Sequence, residues 1–333
     1  MRSILLDFPS QLKWQPEVEG GPIPTASHYL LCGMGGSALG ARMVDSLSYD
    51  KLRVPLEIFN DYKLPYYANS KTLVFLSSYS GSTEETINCF YESIKVNCKM
   101  FVISTGGKLT ELAVKNNKPR YIINPINNPS KQPRMSIGYT TGAVLALLSK
   151  LGLMHLTKDE IDQAYYDMLK SLKDFDEEIP YELNIAKKFA KLLVNKAPIL
   201  IVSEHLIGVA HTMKNQFNEN AKTFSALFEI PELNHHLMEG LKYPAKLREI
   251  FYFLIINSKL YTEDVQKRYP ITADVISKNG YRSSYFSPQS ENKLSQVFET
   301  LIFGTFVNYY LTKDYDIDPI QIPWVDYFKD KLK

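Results

Sequence analysis

The stretch CGMGGSALG, Cys32 to Gly40, stands between an apolar run, HYLLC, and a helix-like segment, ARMVDSLS. Four glycines in nine residues after a strand-like run describe a loop whose backbone approaches another group closely. An anion at the N-terminus of the following helix is what such loops hold. Read as GxGxx(G/A), with Ala38 in the last place, the loop also fits a dinucleotide fingerprint, and Asp61 would then supply the acidic residue after the next strand. A tight turn with no ligand is the plainer alternative.

The strand–loop–helix order recurs. KTLVFLSSYSGSTEETINCFYESIKVN carries an apolar run, a loop of small residues and a helix from about Glu84. KMFVISTGGKLTELAVKNN repeats it with Gly106 and Gly107 at the turn, and LEIFND and RYIINP add strands. Val74-Phe75-Leu76 is apolar without alternation, as in a strand covered on both faces. Strands alternating with helices at this spacing predict an α/β fold with a parallel sheet. SIGYTTGAVLALLSKLGLM closes the first half as a helix, and residues 156–195 read as two linking helices. APILIVSEHLIGVAHTMKNQFNENAK then restarts the pattern, with further strands expected in REIFYFLIIN and around ITADVISKNG. SENKLSQVFETLIFGTFVNYYLTKD is expected as a long apolar-striped helix. IPWVDYFKDKLK is expected as a short amphipathic one, with Val325, Phe328 and Leu332 on one side. The expected domains are residues 1–152 and 153–333, a structural duplication.

Composition excludes several classes. The 333 residues carry 38 Lys and Arg against 36 Asp and Glu, a net charge of +2 with no dense basic run, so nucleic acid is not an expected partner. No apolar run approaches the ~18 residues of a membrane span. Residues Met1 to Pro9 are too short and mixed for a secretory signal. Cys32, Cys89 and Cys98 have no metal-site spacing and read as reduced thiols, so a cytoplasmic location is expected. The histidines are scattered apart from 235–236, and no metal or cofactor is expected.

The second loop bears on which anion the first one meets. Ser77-Ser78-Tyr79-Ser80-Gly81-Ser82-Thr83 precedes Glu84-Glu85, and five hydroxyls, Tyr79 excluded, exceed the single one a capping box uses. Hydroxyls and free N–H groups at a helix N-terminus suit a phosphate dianion. A dinucleotide enzyme has no general need of such a loop, and the absence of GKS or GKT excludes a Walker loop.

GMGGS at 33–37 and SYSGST at 78–83 resemble the two signatures of sugar isomerase (SIS) domains. PRMSIGY at 133–139, QFNENAK at 216–222 and PELNHHLMEG at 231–240 narrow the resemblance to the archaeal bifunctional phosphoglucose/phosphomannose isomerases. The resemblance runs from about residue 20 to the C-terminus. It implies two SIS-type αβα sandwiches, each with a mainly parallel five-stranded sheet, and an enzyme that interconverts glucose 6-phosphate and fructose 6-phosphate, with mannose 6-phosphate as a further substrate.

Aldose–ketose isomerisation needs a base near C2, a group that opens the ring, a charge that favours the enediolate and a grip on the phosphate. The resemblance assigns the base to Glu219. It assigns ring opening to His235, with His236 as its neighbour, and implies that this histidine enters the site of a partner subunit, hence a homodimer. Arg134 matches the family arginine. Lys329 matches the C-terminal lysine best, with Lys331 and Lys333 nearby. The phosphate is expected among Gly36, Ser37, Ser78, Ser80 and Thr83. One departure is Gln321, where the bifunctional pattern has threonine and glucose-specific relatives have glutamine, so mannose 6-phosphate activity is the less secure expectation. The rival readings are a sugar-phosphate-binding SIS regulator without chemistry and an NAD-dependent dehydrogenase.

Overall fold

The computed structural model describes residues 2–12 and 16–332. The chain divides into two compact units, Leu6–Ile161 and Met1–Leu5 with Asp162–Lys333. It opens on two short helices, α1 (Arg2–Leu6) and α2 (Phe8–Leu12). Arg2 ties α1 into the second unit, its Nη2 lying 2.9 Å from Oδ1 of Asp176.

In the first unit the strands are β1 (Val18–Glu19), β2 (His28–Gly33), β3 (Leu56–Phe59), β4 (Thr72–Ser77), β5 (Lys99–Ser104) and β6 (Arg120–Ile122). Their order is β1-β6-β5-β4-β2-β3; β2 to β6 run parallel and β1 pairs antiparallel with β6. The five expected parallel strands are all present, and the two-residue β1 is added at one edge. Every residue of β4 is buried, as its unbroken apolar run predicts for a central strand covered on both faces. The helices are α3 (Gly36–Leu47), α4 (Glu84–Lys95), α5 (Gly107–Lys115) and α6 (Ile137–Lys150). Gly40 lets α3 approach α6, since a Cβ there would stand 2.5 Å from both Thr140 Oγ1 and Thr141 N.

The second unit contains α7 (Lys158–Phe175), entered from the first, and α8 (Ile185–Leu193), the two expected linking helices. Then come β7 (Ala197–Val202), α9 (Ile207–Glu219), β8 (Ala226–Glu229), the single turns α10 (Leu237–Gly240) and α11 (Leu247–Ile250), and β9 (Phe251–Ile256). After these follow α12 (Glu263–Lys278), β10 (Arg282–Phe286), α13 (Lys293–Asp314) and α14 (Pro323–Lys331). The sheet order is β10-β9-β7-β8, all parallel. Among the described residues this sheet has four strands rather than five, because after β10 the chain passes into α13 and forms no further strand.

Two other expectations change here. The strand expected around ITADVISKNG lies just beyond it, as β10, and Ile271 to Lys278 is itself the second half of α12. Its β-branched residues suggest a strand, yet the buried side chains Val265, Tyr269, Thr272 and Ile276 recur at helical spacing while Ile271 faces solvent. The helix α13 is not striped: every residue from Leu294 to Thr312 is buried. Phe303 stacks on Phe286 at 3.7 Å and meets Phe189 of α8 edge-on at 5.2 Å. At the end of the chain, α14 forms as expected with Pro323 in its first turn, but none of its residues is buried and Trp324, Phe328 and Leu332 are exposed. No helix among the described residues is long and apolar enough to cross a membrane.

Candidate active site

The two loops singled out in the sequence lie side by side in the first unit, at the C-terminal ends of β2 and β4. Gly33 pairs with Ser77 in the register of those strands. Gly35 takes φ +46° at the head of α3, a left-handed conformation that glycine adopts without steric cost, and no side chain caps the helix. Gly36 lies against the turn Pro133–Met135, where a Cβ would meet Arg134 N and Pro133 C at 2.6 Å. The glycines of this loop therefore serve close backbone approach as well as the turn itself.

Ser37 joins the loops. Its Oγ accepts from Tyr79 N at 2.9 Å, and its carbonyl accepts from Ser77 Oγ at 2.8 Å. Ser78 is buried and turned inward: its Oγ pairs with Thr83 Oγ1 at 2.8 Å and accepts from Gly81 N at 3.1 Å. Ser80 and Ser82 are exposed and bonded to each other at 2.9 Å. Of the five hydroxyls counted in the sequence, Ser77 and Ser78 thus join Ser37 in holding the loops in shape, and Ser80, Ser82 and Thr83 face outward or lie half-buried. Thr83 is the residue before α4 but makes no side-chain cap. The first N–H groups of a helix have no partner within it, so those of α4 remain available to an anion.

Gly81 sets how close the next loop comes. It has φ +68°, and a Cβ on it would stand 1.8 Å from Gly106 O. That contact is with backbone, which cannot swing aside as a side chain does. Gly81→Ala is expected to lower stability by on the order of 2–4 kcal/mol, the sum of overpacking and left-handed strain. Chemical unfolding measures it, and a curve superimposable on wild type would show that the Gly106 turn yields freely.

Tyr79 is the residue the sequence reading set aside. Besides bonding Ser37, its carbonyl accepts from Thr105 N and Oγ1 at 2.9 and 2.7 Å, and its hydroxyl accepts from Asn128 Nδ2 at 2.8 Å. Burial pushes its phenol above the ordinary range. Asn128 Nδ2 in turn reaches Gln132 O at 3.0 Å, and Gln132 Oε1 accepts from Arg134 Nη1 at 2.8 Å. Arg134 is buried on its turn beside Gly36. The first unit therefore brings Gly36, Ser37, Ser78, Ser80, Thr83 and Arg134 into one neighbourhood, through Tyr79 and Asn128.

The second unit repeats part of this backbone layout with different residues. Glu204 stands two residues beyond β7, as Gly35 does beyond β2, and takes the same φ of +46°. Thr262 precedes α12 six residues beyond β9, as Thr83 precedes α4 six beyond β4. Here, however, Glu204 Oε1 accepts from Thr262 N at 3.0 Å and from Thr262 Oγ1 at 2.7 Å. A carboxylate of the chain itself occupies the head of this helix.

The remaining candidates lie on three elements of the second unit. Glu219 is half-buried at the last turn of α9. The turn beyond it is well anchored: Asn220 N donates to Gln216 O at 2.7 Å, and Thr305 Oγ1 of α13 donates to Gln216 Oε1 at 3.1 Å. His235 is exposed at the end of the 3-10 turn Glu232–His235. His236 has its ring committed, with Nε2 2.6 Å from Glu232 Oε2. Lys329 is exposed in the last turn of α14, whereas Lys331 Nζ lies 5.6 Å from the centre of the Tyr327 ring. Lys333 falls outside the described residues.

Topology separates these candidates. The helix α9 leaves the C-terminal end of β7 and returns, so Glu219 lies at the opposite edge of the sheet, where Asn218 and Ser225 lead into β8. Lys222 Nζ, just beyond Glu219, donates to Asn220 O at 3.2 Å and Asp318 O at 2.8 Å. That bond places Asp318, in the segment that leads to α14, at the same edge as Glu219. His235 follows the C-terminal end of β8, where Ile230 N donates to Val202 O at 3.0 Å. The 13 residues of α9 span about 20 Å at 1.5 Å each. Helix α9 thus runs from the edge where β8 leads to His235 back to the edge that carries Glu219.

A family profile described as the bacterial phospho-glucose isomerase C-terminal SIS domain matches residues 182–332. A bifunctional phosphoglucose/phosphomannose isomerase of Caldicellulosiruptor bescii is 33% identical over 310 residues, covering 91% of this chain and 88% of the relative. Its namesake in Thermoplasma acidophilum is 27% identical, covering 100% of this chain and 99% of the relative. The crystal structure of a hypothetical protein from Thermus thermophilus shares the fold with a TM-score of 0.75 at 16% identity, covering 99% of this chain and 89% of that one. With a third of its residues shared along nine-tenths of its length, the chain belongs to the bifunctional phosphoglucose/phosphomannose isomerase family.

Proposed function

We propose that this protein interconverts glucose 6-phosphate and fructose 6-phosphate, and accepts mannose 6-phosphate, by proton transfer through a cis-enediol in a cytoplasmic homodimer. The observation that carries the proposal is the match along nine-tenths of the chain to a relative bearing the bifunctional isomerase name. The uncapped head of α4 beside the glycine loop supports the phosphate end of the site. Three free, buried cysteines fit a reducing compartment.

In this reading the phosphate lies against the first N–H groups of α4, the Gly36–Ser37 turn, Ser80 and Thr83. Ser78 acts indirectly by holding Thr83 and Gly81. His235 of one subunit, with Lys329 of the other, moves the protons that open the sugar ring. Glu219 then removes the proton from C2 of the aldose, the C1=C2 enediolate forms with its charge opposite Arg134, and the proton returns to C1 to give the ketose. Mannose 6-phosphate reaches the same enediol after rotation about C2–C3, which presents its C2 proton to the same base. The placement of Glu219 and His235 toward opposite edges of one sheet supports a site shared by two subunits. Glu204, lying on the helix head in the second unit, accounts for one phosphate per chain rather than two.

The direct test is turnover of both aldose phosphates by the purified protein in excess EDTA. Both should be converted to fructose 6-phosphate, glucose 6-phosphate the faster, because Gln321 replaces the threonine of the bifunctional pattern. Tight binding of fructose 6-phosphate with no turnover would instead favour a regulator.

A further inference from the structure

The glycine loop is clamped from outside by a side chain that the reaction does not use. Asn60 directly follows β3, the strand beside β2. Its Nδ2 donates to the carbonyl of Gly33, the last residue of β2, at 2.5 Å. Its Oδ1 accepts from Nη2 of Arg42 in α3. One amide group thus joins the end of β2, the end of β3 and the helix that the loop leads into. Asp61, the acidic residue that a dinucleotide fingerprint would call for, turns onto its own chain, with Oδ1 accepting from Tyr62 N at 2.6 Å.

The Gly33–Met34 peptide is a rigid trans plate, so its oxygen and its N–H point in opposite directions. Holding the oxygen toward Asn60 aims the Met34 N–H the other way and fixes the entry to Gly35, which must take φ +46°. Three glycines in four residues otherwise leave this backbone a wide choice of conformations. The Arg42 cation on Oδ1 polarises the amide and strengthens Nδ2 as a donor. Neither loop contains a Lys or Arg, and Arg42 bears on the glycine turn from α3 through Asn60, as Arg134 lies beside Gly36 on its own turn.

We propose that Asn60, backed by Arg42, is a positioning residue that presets the Gly33–Gly36 backbone for a sugar-borne phosphate. This rests on the reading of that loop as phosphate-facing. Preset amides meet the anion without first being ordered by it, and the gain falls on binding in ground state and transition state alike.

The test compares full-length wild type with Asn60→Ala, Asn60→Asp, Arg42→Ala and Arg42→Lys. The Kd of inorganic phosphate is read by titration calorimetry, and KM and kcat with fructose 6-phosphate. Asn60→Ala should raise the phosphate Kd and the KM together by about tenfold, the worth of one charge-assisted hydrogen bond, with kcat changed less than threefold. Asn60→Asp should do worse, since it sets a carboxylate against the Gly33 carbonyl, and Arg42→Lys should regain most of what Arg42→Ala loses. A folded Asn60→Ala that binds phosphate as wild type does would overturn the proposal, as would a fall in kcat at unchanged phosphate affinity. Should Asn60→Ala not fold, the two Arg42 variants make the same comparison. A wild type that binds phosphate but turns nothing over would remove the isomerase reading and leave the clamp to stand or fall on these affinities. No phosphate binding by wild type would overturn both.

Discussion

Glu219→Gln is expected to lower kcat for glucose 6-phosphate by about a thousandfold while the affinity for inorganic phosphate stays at its wild-type value. The substitution keeps shape and hydrogen-bonding atoms but leaves no group able to take the C2 proton. A general base contributes a factor of about 10²–10⁴, and no other carboxylate of the segment 216–222 stands ready to replace it. The turn that carries Glu219 rests on Gln216 and Asn220, both buried, so the change at the half-buried side chain leaves that support intact. Steady-state kinetics and phosphate titration on the same preparation separate the two effects. A kcat within tenfold of wild type would mean that another group moves the proton.

The fold was legible where local pattern and tertiary role agree. The strand ending at Gly33, the turn at Gly35 and the helix start at Glu84 follow from apolar runs broken by glycine and hydroxyl residues, and the structure has each of them. The reading failed where one residue type serves two states. Ile271, Thr272, Val275 and Ile276 favour strands, yet the burial of Tyr269, Thr272 and Ile276 makes the segment one face of α12. For α13 the composition suggested a stripe, whereas the helix is enclosed from every side and Thr305 and Asn308 donate to its own backbone within that interior.

The candidate site was legible as a set of residues but not as a set of roles. A count of hydroxyls between Ser77 and Thr83 cannot tell which point inward. Ser77 and Ser78 do, and they hold the loops together. Tyr79 carried no signal, because each of its bonds is to a residue distant in sequence: Ser37, Thr105 and Asn128. Arg42 and Asn60 were invisible for the same reason, since Asn60 bonds Gly33 and Arg42 across the fold. The separation of Glu219 from His235 depends on chain direction rather than on motif: one ends a helix that returns along the sheet, and the other follows the exit of a strand.

That separation leads to the second large effect. If each site takes Glu219 from one chain and His235 from its partner, homodimers of Glu219→Gln and of His235→Ala are both nearly inactive. A mixed dimer of the two holds one site with both defects and one with neither. Random reassociation in equal amounts makes half the dimers mixed, so activity should return to about a quarter of the wild-type value per total protein under two-fold symmetry.

The measurement is made by unfolding the two inactive variants together, refolding them, and comparing the isomerase rate with that of each variant refolded alone. Recovery of about a quarter of wild-type activity is the predicted result. A rate no higher than the mean of the two variants, in a preparation shown to contain mixed dimers, would contradict a site built from two chains.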